Sequence, residues 1–178
     1  FDAAMTSFHG GETDAVLNAY SYDGISVLAD VGCGIGAVMA ATLHRYPEMR
    51  AILFDQAHVI ERTAAHVREA GVADRCTLLS GSFFDAVAPG AEAYTMRHIL
   101  HDWSDELCIK ILDNIRRVIP ADGRLLVIET VVPAGNDPSP SKLFDMVMMA
   151  LPDGMERSEA QFRAIFDASG FRLTGITP

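Results

Sequence analysis

The stretch that decides the fold is Asp30-Val31-Gly32-Cys33-Gly34-Ile35-Gly36, which lies between a short apolar run and a helical pattern. The apolar run over residues 27–31 predicts a buried strand, and the pattern over residues 37–46 predicts a helix that Pro47 ends. Glycines at such a junction let the backbone turn tightly and approach a ligand without a Cβ in the way. The stretch therefore predicts either a tight strand–helix turn or a nucleoside site.

Short apolar runs alternate with helical patterns along the rest of the chain, as in parallel strands joined by crossover helices. Further strands are predicted over residues 51–54, 76–79, 93–96, 124–131 and 171–176. Further helices are predicted over residues 58–70, 104–119, 141–151 and 158–169. The predicted fold class is α/β, with a Rossmann-like, doubly wound, mostly parallel sheet of five or six strands. Such sheets bind ligands at the carboxyl ends of their strands.

Composition and charge restrict the classes of function. The 178 residues are 49% hydrophobic and 21% charged, the balance of one soluble globular domain over residues 1–178. The 24 acidic and 14 basic residues give a net charge of −10, so nucleic acid is not expected as a partner. No apolar run reaches the ~20 residues of a membrane-spanning helix, and no membrane association is expected. Three cysteines without C-x-x-C spacing indicate reduced thiols in a cytoplasmic protein.

The residues around the glycines indicate which nucleoside would bind. Asp55 lies at the tip of the second predicted strand, where a carboxylate can accept both ribose hydroxyls. The spacing is G-x-G-x-G, whereas a dinucleotide pyrophosphate favours G-x-G-x-x-G. Asp30 would oppose a pyrophosphate but suits the ammonium and sulfonium groups of S-adenosylmethionine. This methyl donor is the predicted cofactor, and a nicotinamide-dependent oxidoreductase on the same sheet is the alternative.

The segment after the fourth predicted strand is Arg97-His98-Ile99-Leu100-His101-Asp102-Trp103-Ser104-Asp105. Here the sequence resembles the plant-type family of S-adenosylmethionine-dependent small-molecule O-methyltransferases, whose bacterial members modify polyketides and other aromatic natural products. Other matching pieces are residues 1–5, the glycine loop, residues 54–55, 81–84, 128–129 and 156–159. The resemblance implies a class I methyltransferase fold and methyl transfer to a hydroxyl oxygen of a small, aromatic molecule of secondary metabolism.

The resemblance also implies roles for individual residues. His101 matches the general base, and Glu129 and Glu156 match acids that flank it. A neutral imidazole can take a phenolic proton near pH 7, and neighbouring carboxylates would fix its tautomer. Met149 and Asp102 are predicted to lie at the substrate.

Eight residues are predicted to bind the cofactor: Asp30, Gly32, Gly34, Gly36, Asp55, Ser82, Phe83 and Arg97. Ser82 stands where the family usually has an aspartate that binds the adenine amino group, a change that could weaken binding by ~1–2 kcal/mol. Gln56-Ala57 replaces a usual Leu-Pro pair, and Arg97 replaces a common lysine. Phe1 and Met5 match family positions near the cofactor.

Other interpretations of the same residues stay open. His101-Asp102-Trp103 could be a capped helix start with a core tryptophan, and the protein could be a cofactor-binding relic without methyl transfer. His98 and His101 could form a metal pair, but the sequence shows no third ligand, and no metal is predicted. The resemblance implies an N-terminal helical domain that forms a homodimer. Since the chain begins at Phe1 and its final predicted strand has no partner hairpin, we expect that domain and a last strand to lie outside these residues.

Overall fold

The central feature of the structure is a five-stranded parallel sheet with the strand order β3-β2-β1-β4-β5. The computed structural model describes residues 12–148 and 154–177. The five strands are β1 (Val27–Val31), β2 (Arg50–Asp55), β3 (Cys76–Ser80), β4 (Ala93–Arg97) and β5 (Arg124–Ile128). The predicted doubly wound sheet is confirmed, and its order reverses between β1 and β4.

The connections between the strands are mostly helical. The helices are α1 (Glu12–Ala19), α2 (Ala37–Arg45), α3 (Ala57–Glu69), α4 (Asp105–Arg116), α5 (Pro140–Met148) and α6 (Glu159–Ala168). Two short 3-10 segments cover Ala73–Arg75 and Leu100–Asp102, and two-residue strands β6 (Val131–Val132) and β7 (Arg157–Ser158) pair in parallel. None of the helices in the described parts of the chain is long and apolar enough to cross a membrane.

A hydrophobic core lies on each face of the sheet. Leu28 and Leu53 belong to a cluster that also takes side chains from α2 and α3. Val31 and Phe54, on the opposite face, belong to a cluster that takes side chains from α4 and α6. Successive side chains of a strand point to opposite faces, so β1 and β2 supply both clusters. This two-sided burial explains their nearly continuous apolar sequences.

Parallel register brings the carboxyl ends of all five strands to one edge. Val31 pairs with Phe54, Asp55 with Ser80, and Arg97 with Ile128. The residues that leave the sheet at this edge are Gly32, Gln56, Gly81, His98 and Glu129. The glycine loop and the His-Asp-Trp segment therefore lie at the same edge.

Two predicted elements differ from the structure. The strand predicted over residues 171–176 is wrong, because within the described chain these residues pair with no strand. Phe171 and Leu173 pack against the core cluster of Phe162, so their alternation reflects side-chain packing without a hydrogen-bonded neighbour. The strand predicted over residues 124–131 ends at Ile128.

Helix α1 is not among the predicted elements. Among its described side chains Leu17 alone is buried, so its apolar periodicity is weak. The helix predicted over residues 141–151 is confirmed as α5 up to Met148, and the rest of that prediction lies outside the described residues.

Candidate active site

The glycine loop after β1 depends on the absence of side chains. Gly32, Gly34 and Gly36 have φ values of 78°, 55° and 79°, in the left-handed region. The amide N–H of Gly32 donates to the Phe54 carbonyl at 2.8 Å, which ties the loop to the end of β2. A Cβ on Gly32 would also lie 2.9 Å from Cγ1 of Ile99. Glycine is required there for both conformation and space.

Asp55, the last residue of β2, binds this loop through its carboxylate. Its Oδ2 accepts the N–H of Gly34 at 2.9 Å, and its Oδ1 accepts the N–H of Gln56 at 2.7 Å. The Thr63 hydroxyl on α3 donates to the Gly34 carbonyl at 2.7 Å. Each carboxylate oxygen has a second lone pair, so Asp55 keeps capacity to accept ligand hydroxyls.

A cavity of about 480 Å³ opens beside Asp55 at the ends of β2 and β3. Its lining residues are Asp55, Gln56, Ala57, Ser80, Gly81, Ser82, Phe83, Phe84 and Trp103. The Phe84 and Trp103 rings meet edge to face, with centroids 4.8 Å apart. The volume falls within the usual range for small-molecule sites, and the lining combines aromatic rings with a few polar groups.

Asp30 provides a buried acid directly before the glycines. Only 6% of this residue is exposed. Burial raises the pKa of its carboxyl from the usual value to about 7, while the charge of Arg97 lowers it and that of Asp55 raises it. A cation placed here would favour the ionised acid.

His101 lies on the short 3-10 turn after β4 and is 4% exposed. Its Nδ1 lies 3.1 Å from Oε1 of Glu156 and 3.7 Å from Oε2 of Glu129. Its Nε2 lies 3.5 Å from Oδ1 of Asp102. When Nδ1–H donates a hydrogen bond to Glu156, the proton stays on Nδ1 and Nε2 is left as the basic nitrogen.

Glu129 binds the backbone of this turn, whereas Glu156 binds the His101 ring. Oε1 of Glu129 accepts the N–H groups of Ile99 at 2.9 Å and Leu100 at 2.7 Å, which binds the turn to the end of β5. Burial raises the pKa of Glu129 to about 7, against the lowering effect of His101 and of these hydrogen bonds. Burial would lower the pKa of His101, but the hydrogen bond to Glu156 and the nearby carboxylates raise it above its usual value. The arrangement can accept a proton at Nε2 and stabilise the imidazolium that forms.

Residues 1–172 match the family model of the O-methyltransferase domain. The chain belongs to this O-methyltransferase family. The phenazine O-methyltransferase of Lysobacter antibioticus is 39% identical over 178 residues, which covers 100% of this chain and 52% of the relative. The mitomycin biosynthesis 6-O-methyltransferase of Streptomyces lavendulae is 37% identical over 179 residues, which covers 100% of this chain and 51% of the relative.

A solved structure extends this likeness to three dimensions. CalO1, a methyltransferase in calicheamicin biosynthesis in its SAH-bound form, superimposes with a TM-score of 0.89 at 36% identity. The match covers 98% of this chain and 51% of CalO1. This O-methyltransferase chain thus spans about half the length of the relatives it matches.

The structure groups most of the predicted site residues in this O-methyltransferase domain. His101, Asp102, Glu129 and Glu156 form one cluster. Of the predicted cofactor residues, the three glycines form the loop, and Asp55 binds the loop from the end of β2. Ser82 and Phe83 line the cavity together with Asp55, and the charge of Arg97 lowers the pKa of Asp30. Met149, Phe1 and Met5 lie outside the described residues.

Arg157 is a site residue that the sequence analysis missed. It is fully buried, and its guanidinium donates to the carbonyls of Leu100 and Trp103, each at 2.7 Å, and to Asp105 at 2.9 Å. These bonds clamp the turn that carries His101. The stretch from Glu156 to Glu159 was a matching piece, but no spacing rule marks its arginine as buried.

Two further polar side chains position site residues through the backbone. Asp145 on α5 accepts the N–H of Glu156 at 2.8 Å, and the N–H of Met155 donates to the His101 carbonyl at 2.8 Å. Asn114 on α4 donates to the Phe83 carbonyl at 2.8 Å. An aspartate or asparagine on a helix gives no sequence signal of such a contact.

Proposed function

We propose that the natural protein containing this chain transfers a methyl group from S-adenosylmethionine to a hydroxyl oxygen of a small aromatic molecule. The observation that carries the proposal is the buried imidazole of His101, bound at Nδ1 by Glu156 and standing at the same sheet edge as the glycine loop. The named actions of the phenazine and mitomycin relatives and the SAH-bound state of CalO1 support it.

The residues at the edge fit the proposed cofactor. A loop without Cβ atoms admits close approach, the aromatic-lined cavity suits a flat base, and Asp55 can accept ribose hydroxyls. The buried carboxyl of Asp30 suits a cationic group and would repel a pyrophosphate. When bound, S-adenosylmethionine supplies an electrophilic methyl group on a sulfonium.

His101 would act on the acceptor hydroxyl. With the cofactor bound, Nε2 would take the hydroxyl proton as the oxygen bonds to the methyl carbon, and the imidazole would become an imidazolium. The carbon–sulfur bond would break in the same displacement, and its electron pair would go to the sulfur, which leaves as the neutral thioether of S-adenosylhomocysteine. Oε1 of Glu156, 3.1 Å from Nδ1, stabilises that charge, and Oε2 of Glu129 adds a second carboxylate at 3.7 Å. Arg157 and Glu129 hold the turn in place, which matters because an in-line displacement needs aligned reactants.

The test is methyl transfer by His101→Ala in the natural protein, measured as labelled methyl incorporation into a panel of phenols and hydroxyquinones. We expect kcat to fall by ~10²–10⁴, the usual contribution of a general base, while SAH affinity measured by calorimetry is unchanged. His44→Ala, which alters an exposed histidine on α2, serves as the control. Unchanged turnover of every accepted substrate by His101→Ala would overturn the proposed base, and binding of NADH in place of SAH would favour the oxidoreductase alternative.

We further propose that residues 1–178 are the cofactor-binding catalytic domain of a homodimer formed through an N-terminal helical domain, in the cytoplasm. The half-length match to relatives supports the extra domain. Cys33, Cys76 and Cys108 are unpaired, in keeping with a reducing compartment. Light scattering of the natural protein and of residues 1–178 should give a dimer and a monomer; a dimer of residues 1–178 alone would contradict the proposed interface.

A further inference from the structure

Three potential metal ligands, one of which is the proposed base His101, lie close together in the candidate active site. They come from the end of β4 (His98), the 3-10 turn (His101) and the end of β5 (Glu129). Oε2 of Glu129 lies 3.9 Å from Nδ1 of His98 and 3.7 Å from Nδ1 of His101. One ligand atom from each of the three residues lies within 4.8 Å of the others. Glu129 is thus the third group that the sequence spacing did not reveal.

Two carboxylates near the imidazoles, those of Glu129 and Glu156, each have one oxygen that accepts no hydrogen bond from the described residues. Oε2 of Glu129 and Oε2 of Glu156 are buried and accept no hydrogen bond within the described parts of the chain. The side chain of Glu129 is 2% exposed, and its Oε1 is already occupied by two backbone N–H groups. A buried carboxylate oxygen directed at two imidazoles favours a cation between them.

The backbone of His98 supports a specialised role for this residue. Among the described residues it is the one non-glycine residue with a positive φ, at 53°. Its N–H donates to the Ile128 carbonyl at 3.0 Å, which holds it beside the end of β5 and therefore beside Glu129. A backbone conformation of this kind costs free energy and is concentrated at functional sites.

We infer that His98, His101 and Glu129 form a binding site for a borderline divalent transition metal ion, with Zn²⁺ as the best match. Two imidazole nitrogens and one carboxylate oxygen form a ligand set typical of zinc and unlike the all-oxygen sets of Ca²⁺ and Mg²⁺. Zinc bonds of about 2 Å in a tetrahedron place ligand atoms ~3.3 Å apart. The separations from Oε2 of Glu129 are 3.9 and 3.7 Å, and no pair of the three ligand atoms is more than 4.8 Å apart, so the ligand atoms would have to approach one another by about 0.5–1.5 Å. Water would complete the coordination.

Metal binding at this site would switch off the base. An ion on Nδ1 of His101 takes the lone pair of that nitrogen, so the imidazole proton that Nδ1 carried moves to Nε2. Nε2 then donates a hydrogen bond and cannot accept the hydroxyl proton. This inhibitory consequence rests on the proposed methyl transfer, whereas metal binding itself does not.

Binding is tested on the chelator-treated protein with Zn²⁺ alone by calorimetry and Co²⁺ alone by visible absorption. We expect one equivalent of Zn²⁺ and intense Co²⁺ bands of a four-coordinate site. His98→Ala should weaken Zn²⁺ binding by more than ~100-fold, since loss even of a ligand's supporting partner costs 10–100-fold. His44→Ala is the matched control and should bind like the wild type. Equal Zn²⁺ affinity in His98→Ala and the wild type, or no binding to the folded protein, would overturn the site.

Turnover gives a second, separate readout. The natural protein should lose methyl transfer as the Zn²⁺ site fills, and a chelator should restore it. Each protein is compared with its own zinc-free rate, and His98→Ala should retain that rate at a Zn²⁺ concentration that inhibits the wild type. If Zn²⁺ binds through His98 but turnover does not change, the inhibitory consequence is wrong. If Zn²⁺ binds and the zinc-free protein transfers no methyl group, the proposed function fails while the metal site stands.

Discussion

The glycine loop and the base cluster share one edge of the sheet but are built in different ways. The loop is closed by the bond from Gly34 to Asp55, which spans 21 positions of sequence within one strand–helix–strand unit. The base cluster is closed by the contact of His101 with Glu156, which spans 55 positions. The loop relies on backbone groups and glycine conformation, whereas the cluster relies on buried charged side chains.

This difference predicts different responses to substitution. The conformation of the loop is set by its glycines and by local backbone hydrogen bonds. A change in one side chain near the loop should therefore lower ligand affinity by the value of the single contact that is lost, without unfolding the loop. Removing one member of a buried charged cluster leaves its partners uncompensated in a dry environment, so stability falls sharply. The four predictions below begin with the cluster, where the largest effect is expected.

Arg157→Met should be the most damaging of these changes. It removes the clamp on the carbonyls of Leu100 and Trp103 and leaves Asp105 without its partner. We expect the free energy of unfolding in urea to fall by about 2–5 kcal/mol, because the carbonyls of Leu100 and Trp103 each lose a charged donor and an unsatisfied buried acceptor costs about 1–3 kcal/mol. Arg163→Met is the control, because its pair with Glu159 is half-exposed and contributes about 0–1 kcal/mol. Equal losses for the two variants would refute the clamp.

Asp30→Asn tests the one buried acid of the loop region. The folded-state pKa of Asp30 is raised to about 7, so its protonated form stabilises the fold at low pH, and this contribution is lost as pH rises from about 4 to 7. Relative to Asp30→Asn, the wild type should lose about 1.4 kcal/mol per pH unit in that window, measured as unfolding free energy in urea. Exposed Asp122→Asn should follow the wild type. A constant difference between wild type and Asp30→Asn would show that Asp30 stays ionised.

The glycine loop and the base cluster also differ in how far the sequence predicts them. Gly32, Gly34 and Asp55 were predictable because spacing within one β-α-β unit encodes both their conformation and their position. The base cluster could be assigned only through family resemblance, since no local pattern brings residues 101, 129 and 156 together. Arg157 and Asp145 were missed because they bind backbone groups outside their own elements, and any polar side chain can do that. The strand predicted over residues 171–176 failed because alternation alone does not supply a neighbouring strand.

Asp55→Asn should separate cofactor affinity from the base. The variant keeps the size of the side chain but loses the charge that strengthens its hydrogen bonds to Gly34 and to ligand hydroxyls. We expect SAH affinity to fall by ~10–100-fold, from hydrogen bonds to a charged group worth about 1.5–3 kcal/mol. Asp85→Asn, an exposed change outside the cavity lining, is the control. If SAH affinity is unchanged by Asp55→Asn while Asp85→Asn reduces it, the donor site has been misplaced.

Ser82→Asp should give the smallest effect and the opposite sign. Ser82 lines the cavity and its Oγ accepts the N–H of Phe84 at 3.3 Å, a bond that an aspartate oxygen can also accept. A carboxylate there would add a charged acceptor for an amino group on the bound base, and we expect SAH to bind ~5–30-fold more tightly, or ~1–2 kcal/mol. Ser82→Asn, which adds the volume without the charge, controls for packing. A gain shared by both variants would assign the effect to shape. A gain confined to Ser82→Asp would assign the effect to the charge. It would also mean that side chains near the loop contact the ligand independently, so that the weaker contact of Ser82 is tolerated. The charges around His101, in contrast, depend on one another.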